Sequence, residues 1–338
     1  MPGRARELSI NPETIRPVRT PMSLVRSEPS DAGFAFLRET LARQVPHAEF
    51  REVGDRGAVG AFDDDRLVGF ADPSSGQTHL LPLLETLTPA RSHLPAARAG
   101  VRALLAEQGH LFADDVSKVA AATPRQLYAG TGSRRGVTRR PEAMLATVPI
   151  RRSMGRVPVF GPGSAASASF GAQGLVGLGH RWGRAALTDQ RIQPDPIDRV
   201  AERIREAAAP LLEDRAVTLT DATPVYYDDG EGLIQPAYRV RLVLDPDDKE
   251  AATPGRMVGY LPIGDQPGAL PPLVRPADPA PGDAGDQPGR APKGGPTVGR
   301  YVVRKDNAGW VASANAFMST INAFSFFLGG FADAQYYW

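Results

Sequence analysis

The chain has 338 residues, 42% of them apolar and 23% charged, with Lys plus Arg at 39 against Asp plus Glu at 38. That length exceeds one ordinary hydrophobic core and predicts two compact units with connecting material. The near-zero charge balance selects no nucleic acid or acidic partner, and the absence of cysteine excludes disulfides, thiolate metal sites and cysteine nucleophiles.

Residues 1–31 are rich in Pro and charge and read as an extended arm. Their Arg and Glu interrupt the apolar core that an export signal needs, so the expected location is the cytoplasm, or outside it by a non-classical route. Residues 32–133 read as a first α+β repeat. In it "LVGF", Leu67 to Phe70, follows the polar turn "DDDR" as the second strand of a hairpin. An amphipathic helix starts near Pro95 with Ala97, Val101, Leu104 and Leu105 on one face, and a strand follows around Tyr128.

Residues 134–156 hold Arg134, Arg135, Arg139, Arg140, Arg151, Arg152 and Arg156 against Glu142 alone. No aromatic residues interleave for base stacking, so the stretch reads as an exposed connection rather than a nucleic-acid surface. Residues 157–263 repeat the earlier order. "LVGL" recurs at Leu175, and a helix from Pro196 places Ile197, Val200, Ile204, Ala208 and Leu211 on one face. The strands "TPVYYDDG" and "LIQPAYRVRLVL" follow, with Arg239 and Arg241 on a solvated face. The fold class predicted is therefore α+β, two repeated units of antiparallel sheet each with one packed helix.

Residues 264–300 are too dense in Pro and Gly for either ladder or helix and read as a linker. Residues 301–338 read as a short strand and an apolar docking helix. Between Asn307 and Ala332 there is no charged residue, and Trp310, Ala314, Phe317, Ile321, Phe324, Leu328 and Phe331 advance in steps of four and three. Such a helix suits burial against a partner, either further copies of the chain or a protease-like domain. The Ser, Thr and Asn content, with Gly329 and Gly330, favours protein over membrane as its cover.

His180 and Trp182 share a strand face, which would make a small-ligand wall, but an ordinary strand histidine is the preferred reading. His47, His79, His93 and His110 lack metal-ligand spacing. "GTGSRRG" has Arg135 where a dinucleotide loop needs its third glycine, "GPGSAAS" lacks the lysine of a phosphate loop, and no G-x-S-x-G elbow occurs. The acidic runs "FDDDR", "YYDDGEG" and "DPDDKE" suit turns better than calcium loops. No catalytic, cofactor or metal residue is assigned, and the chain is read as a non-enzyme that assembles into a homo-oligomer or fibre through Trp310, Phe317, Ile321, Phe324, Leu328 and Phe331.

The hairpin "TPVYYDDGEGLIQPAYRVRL", carried by Tyr226, Tyr227, Pro236, Ala237, Tyr238, Arg239 and Val240, resembles propeptide-type modules of the PepSY and fungalysin/thermolysin-propeptide kind. These precede secreted bacterial proteases, and the resemblance implies a non-catalytic chaperone or inhibitor of a neighbouring domain. The tail "RKDNAGWVASANAFMSTINAFSFFLGGFADAQYYW" resembles the entry into the C-terminal domain of an uncharacterised bacterial family that joins such modules to a caspase- or gingipain-like domain. The likeness spans residues 35–262 loosely and 301–338 more specifically. It implies that a catalytic domain, if the gene encodes one, lies beyond residue 338.

Overall fold

The computed structural model describes residues 8, 10–53, 57–83, 87–129, 132–133, 136–137, 142–212, 216–244, 255–266, 268 and 270–271. The interface positions Trp310, Phe317, Ile321, Phe324, Leu328 and Phe331, and most of the 264–300 linker, lie outside the described residues.

The described chain is mostly strand. In order it forms β1 (Met22–Glu28), α1 (Ala32–Gln44), β2 (Glu49–Val53), β3 (Ala58–Asp63), β4 (Arg66–Asp72), β5 (Gln77–Leu80), α2 (Leu94–Glu107), α3 (Gly109–Phe112), β6 (Ser117–Ala121) and β7 (Arg125–Ala129). There follow the short pair β8 (Gly132–Ser133) and β9 (Gly136–Val137), then β10 (Glu142–Met154), β11 (Val157–Phe160), β12 (Ala166–Gly171), β13 (Gly174–Arg181) and β14 (Arg184–Ile192). The last elements are α4 (Ile197–Leu212), β15 (Val217–Asp228), β16 (Leu233–Leu244) and β17 (Gly255–Pro262).

One 15-stranded sheet runs in the order β14-β1-β16-β15-β11-β10-β12-β13-β5-β4-β3-β2, with β17 on β16 and both β6 and β7 on β10. It is mixed, because β11 and β15 pair in parallel while the other ladders are antiparallel. This overturns the predicted α+β fold of two repeated units. The two LVG strands belong to the same sheet: β4 and β13 flank β5, so that Leu80 faces Gly69 on one side and Leu178 on the other. The echo has a local cause, since each glycine admits a different close neighbour. A Cβ on Gly69 would come within 2.6 Å of Leu37, and one on Gly177 within 2.9 Å of Pro82. Residues 134–156, expected as an exposed connection, contain β10, which pairs with β6, β7, β11 and β12. The arm of residues 1–31 contributes β1, held between β14 and β16.

Two large apolar cores and two smaller clusters lie on this sheet. α1, α2 and α3 cover the β2 to β10 half, burying Phe36, Leu37, Leu41, Val101, Leu104 and Phe112 against Ile150, Phe170 and Leu178. α4 covers the other half, with Val200, Ile204 and Ala208 set against Ile192, Tyr238, Val240 and Leu242. The 3.6-residue spacing read for α2 and α4 gives the buried faces directly: Ala97, Val101 and Leu104 on one, Val200, Ile204 and Ala208 on the other. The chain passes between the halves four times: after β1 at 29–31, at the β10–β11 hairpin, between β11 and β12 at the Pro162–Ser164 turn, and at Trp182–Gly183 between β13 and β14. These crossings lie beside each other and define the junction.

Candidate functional site

Buried charge collects at the junction. Past the irregularity between Ala143 and Leu145, the even positions of β10, Ala146, Val148, Ile150, Arg152 and Met154, are buried, so strand alternation carries one guanidinium into the core line. The Arg152 side chain is 0% exposed. Its Nη2 donates to Asp114 Oδ2 at 3.0 Å and to the Gly183 carbonyl at 3.2 Å. Its Nη1 lies 3.8 Å from Asp228 Oδ2, and the guanidinium sits over the Trp182 ring, 5.4 Å from the centroid.

Asp114, in the α3–β6 connection, accepts the amides of Val116 (3.0 Å) and Ser117 (2.6 Å) on Oδ1 and that of Ala185 (2.9 Å) on Oδ2. Burial works to raise its pKa, but the Ala185 and Ser117 amides and the Arg152 charge outweigh it and hold the carboxyl below the usual range. Asp228 ends β15 and is fixed by a tight turn: Oδ1 accepts the Gly230 amide and Oδ2 the Ser164 hydroxyl, both at 3.0 Å. The 3-10 turn at Pro162–Ser164 can rest on it because Gly161, at φ +116, carries no Cβ to strike the Asp228 carbonyl. Burial pushes the Asp228 pKa up to about 6 despite the opposing pull of the Gly230 amide, Arg152 and Ser164. Arg181 at the end of β13 feels the same carboxylate, while its own burial draws its pKa down.

Aromatic rings close the site. His180 and Trp182 have centroids 4.6 Å apart, Phe112 meets His180 edge-on at 5.4 Å, and Trp182 Nε1 donates to the Phe112 carbonyl at 3.1 Å. His180 Nδ1 lies 3.1 Å from the carbonyl oxygen of Gly76, which only accepts, so Nδ1 carries the ring proton. Gly76 sits at φ +68, and a Cβ there would come within 2.6 Å of the Trp182 carbonyl. Burial, then the Arg152 charge, lowers the His180 pKa to about 3, and burial with Arg181 lowers that of His79 to about 4. Both imidazoles are therefore neutral at pH 7.

This arrangement balances charge rather than presenting it. Arg152, Asp228 and His180 are each at most 2% exposed. An open cleft of about 760 Å³ lies beside the junction, lined by Asp31, His110, Asp114, Asp115 and Arg184 among others. Asp114, the residue it shares with the charged cluster, already has three amides and Arg152 on its two oxygens. Among the described residues no group of three His, Asp or Glu side chains is placed to hold a metal, and no helix is long and apolar enough to cross a membrane.

The hairpin tyrosines fall in three separate apolar clusters. Tyr226 packs with Val25, Met154 and Val159, Tyr238 with the α4 core, and Tyr227 against Tyr260 at 4.6 Å. The shared face of His180 and Trp182 is present, buried and without a ligand wall open to solvent. Sequence reasoning missed Asp114, Arg181 and Asp228 and placed Arg152 in an exposed connection, whereas it is buried. The available signal was Arg152 in an otherwise apolar every-second-residue run.

No family model matches the chain, and no curated protein does. Among solved structures, an uncharacterized protein from Eubacterium rectale ATCC 33656 aligns over 74% of this chain and 86% of that one, at 8% identity and a TM-score of 0.41. A likeness of that size transfers neither fold nor role to this chain.

Proposed function

We propose that the protein is non-catalytic and works by self-assembly through its uncharged C-terminal stretch. The observation that carries this is the run from Asn307 to Ala332, free of Asp, Glu, Lys and Arg, with seven apolar positions spaced as a helix seam. Covering such a seam contributes on the order of 10 kcal/mol before ordering costs, so a neighbour is the natural resting place.

The sheet body supports this division of labour. Both ends of the strand path are guarded against strand addition. At β14, Leu24 alone lies opposite Thr188, Asp189 and Gln190, a bulge that breaks the regular edge, and at β2 the exposed positions are Glu49, Arg51 and Glu52. The alternative role, a propeptide-like chaperone or inhibitor that grips a protease-like domain by strand pairing, would use the outer edge of β17, which among the described strands pairs with β16 alone. The test compares the full chain with its Phe317→Glu/Phe324→Glu variant by light scattering. Oligomers for the parent and a folded monomer for the variant are expected; equal masses for the two overturn the reading.

A further inference from the structure

The buried polar atoms at the junction that lack a hydrogen-bond partner among the described residues include Arg152 Nε, Arg152 Nη1 and His180 Nε2. Interiors seldom tolerate this, because an unmet buried polar group costs as much as the bond it lacks. These atoms are also chemically complementary. Arg152 offers N–H donors only. The Nδ1–H of His180 is committed to the Gly76 carbonyl, so Nε2 presents a bare lone pair. Both side chains rest against the one indole of Trp182, and the Arg152 charge reaches the His180 ring.

We infer that Arg152 and His180 hold one internal water molecule, which accepts from the guanidinium and donates to His180 Nε2. Other guests fit the same atoms less well. A cation meets the Arg152 N–H groups, and an anion meets the lone pair of His180 with Asp114 and Asp228 behind it. A neutral molecule that both donates and accepts satisfies both partners, and water is the smallest. The 3.8 Å gap between Arg152 Nη1 and Asp228 Oδ2, too long for a direct hydrogen bond, is a distance at which the same water can serve both groups. The water then belongs to the joint between the two halves of the sheet, since its partners sit on β10, β13 and the end of β15.

Oxygen-17 relaxation dispersion counts long-lived internal waters in solution. Comparing the full chain with His180→Phe, which keeps a ring against Trp182 and Phe112 but removes Nε2, is expected to show the loss of a single long-lived water. An unchanged amplitude overturns the proposal. Should the variant fail to fold, a high-resolution crystal structure of the unaltered chain decides the matter. Density of a water's weight within hydrogen-bonding distance of both His180 Nε2 and Arg152 supports the site, and a dry position or a heavier ion there removes it.

Discussion

The core under α4 and the junction a few residues away are buried to the same degree, yet they are built on opposite terms. Under α4, Ile204, Tyr238, Val240 and Leu242 are at most 1% exposed, and apolar burial carries the packing. At the junction Arg152 is just as hidden, and its place depends on Asp114, Asp228 and the Trp182 ring all being present. The contrast teaches that equal burial implies unequal fragility. An apolar core yields by fractions when trimmed, whereas a buried ion cluster fails when one member goes.

Arg152→Met is the strongest test of that contrast. It leaves Asp114 and Asp228 buried without their shared cation, and a loss of about 3–5 kcal/mol in urea unfolding is expected. A loss below that of a methyl deletion in the α4 core would equate the two regions.

Acid comes next in size. His79 and His180 have folded pKa values near 4 and 3, below the ordinary 6.5, so the unfolded chain binds protons first as pH falls and stability drops below about pH 6.5. Asp228 works the other way. Its folded pKa near 6 exceeds the ordinary carboxylate value of 3.8, so protonation favours the folded state between about pH 6 and 4. The histidines are two and shifted further, so a net loss on the order of 2–3 kcal/mol from pH 7.5 to 5 is expected, measured by denaturant melts at each pH. His180→Phe flattens the profile and Asp228→Asn steepens it, each relative to its own stability at pH 7.5.

Ile204→Val, beneath α4, should cost only about 1 kcal/mol, with no change in the pH profile. Smallest of all is the exposed Glu39–Arg43 pair on α1, where Arg43→Ala should alter stability by about 0.5 kcal/mol or less.

The same contrast explains what the sequence disclosed. α2 and α4 were legible because an amphipathic helix writes its buried face as a 3.6-residue period, and β15–β16 because a polar DDGEG turn separates two aromatic-bearing runs. α1 and β1 escaped notice, and the two LVG strands suggested duplicated units when both flank β5 in one sheet. Strand order depends on long-range pairing, which a tetrapeptide match does not report. The charged cluster was illegible for a further reason. Arg152 stands beside Arg151 in an Arg-rich stretch, and only its pairing on β10 separates the buried arginine from the exposed one. Its carboxylates come from positions 114 and 228, far apart in the chain and each disguised as a turn residue.

The charged cluster at the junction is closed to solvent, with Arg152, Asp228 and His180 all buried. A nitrogen-15 NMR titration of the His180 imidazole from pH 8 to pH 5 tests it most directly. The ring is expected to stay neutral throughout, with its proton on Nδ1. Protonation with a midpoint near 6.5 would show an imidazole open to solvent and a joint that is not closed.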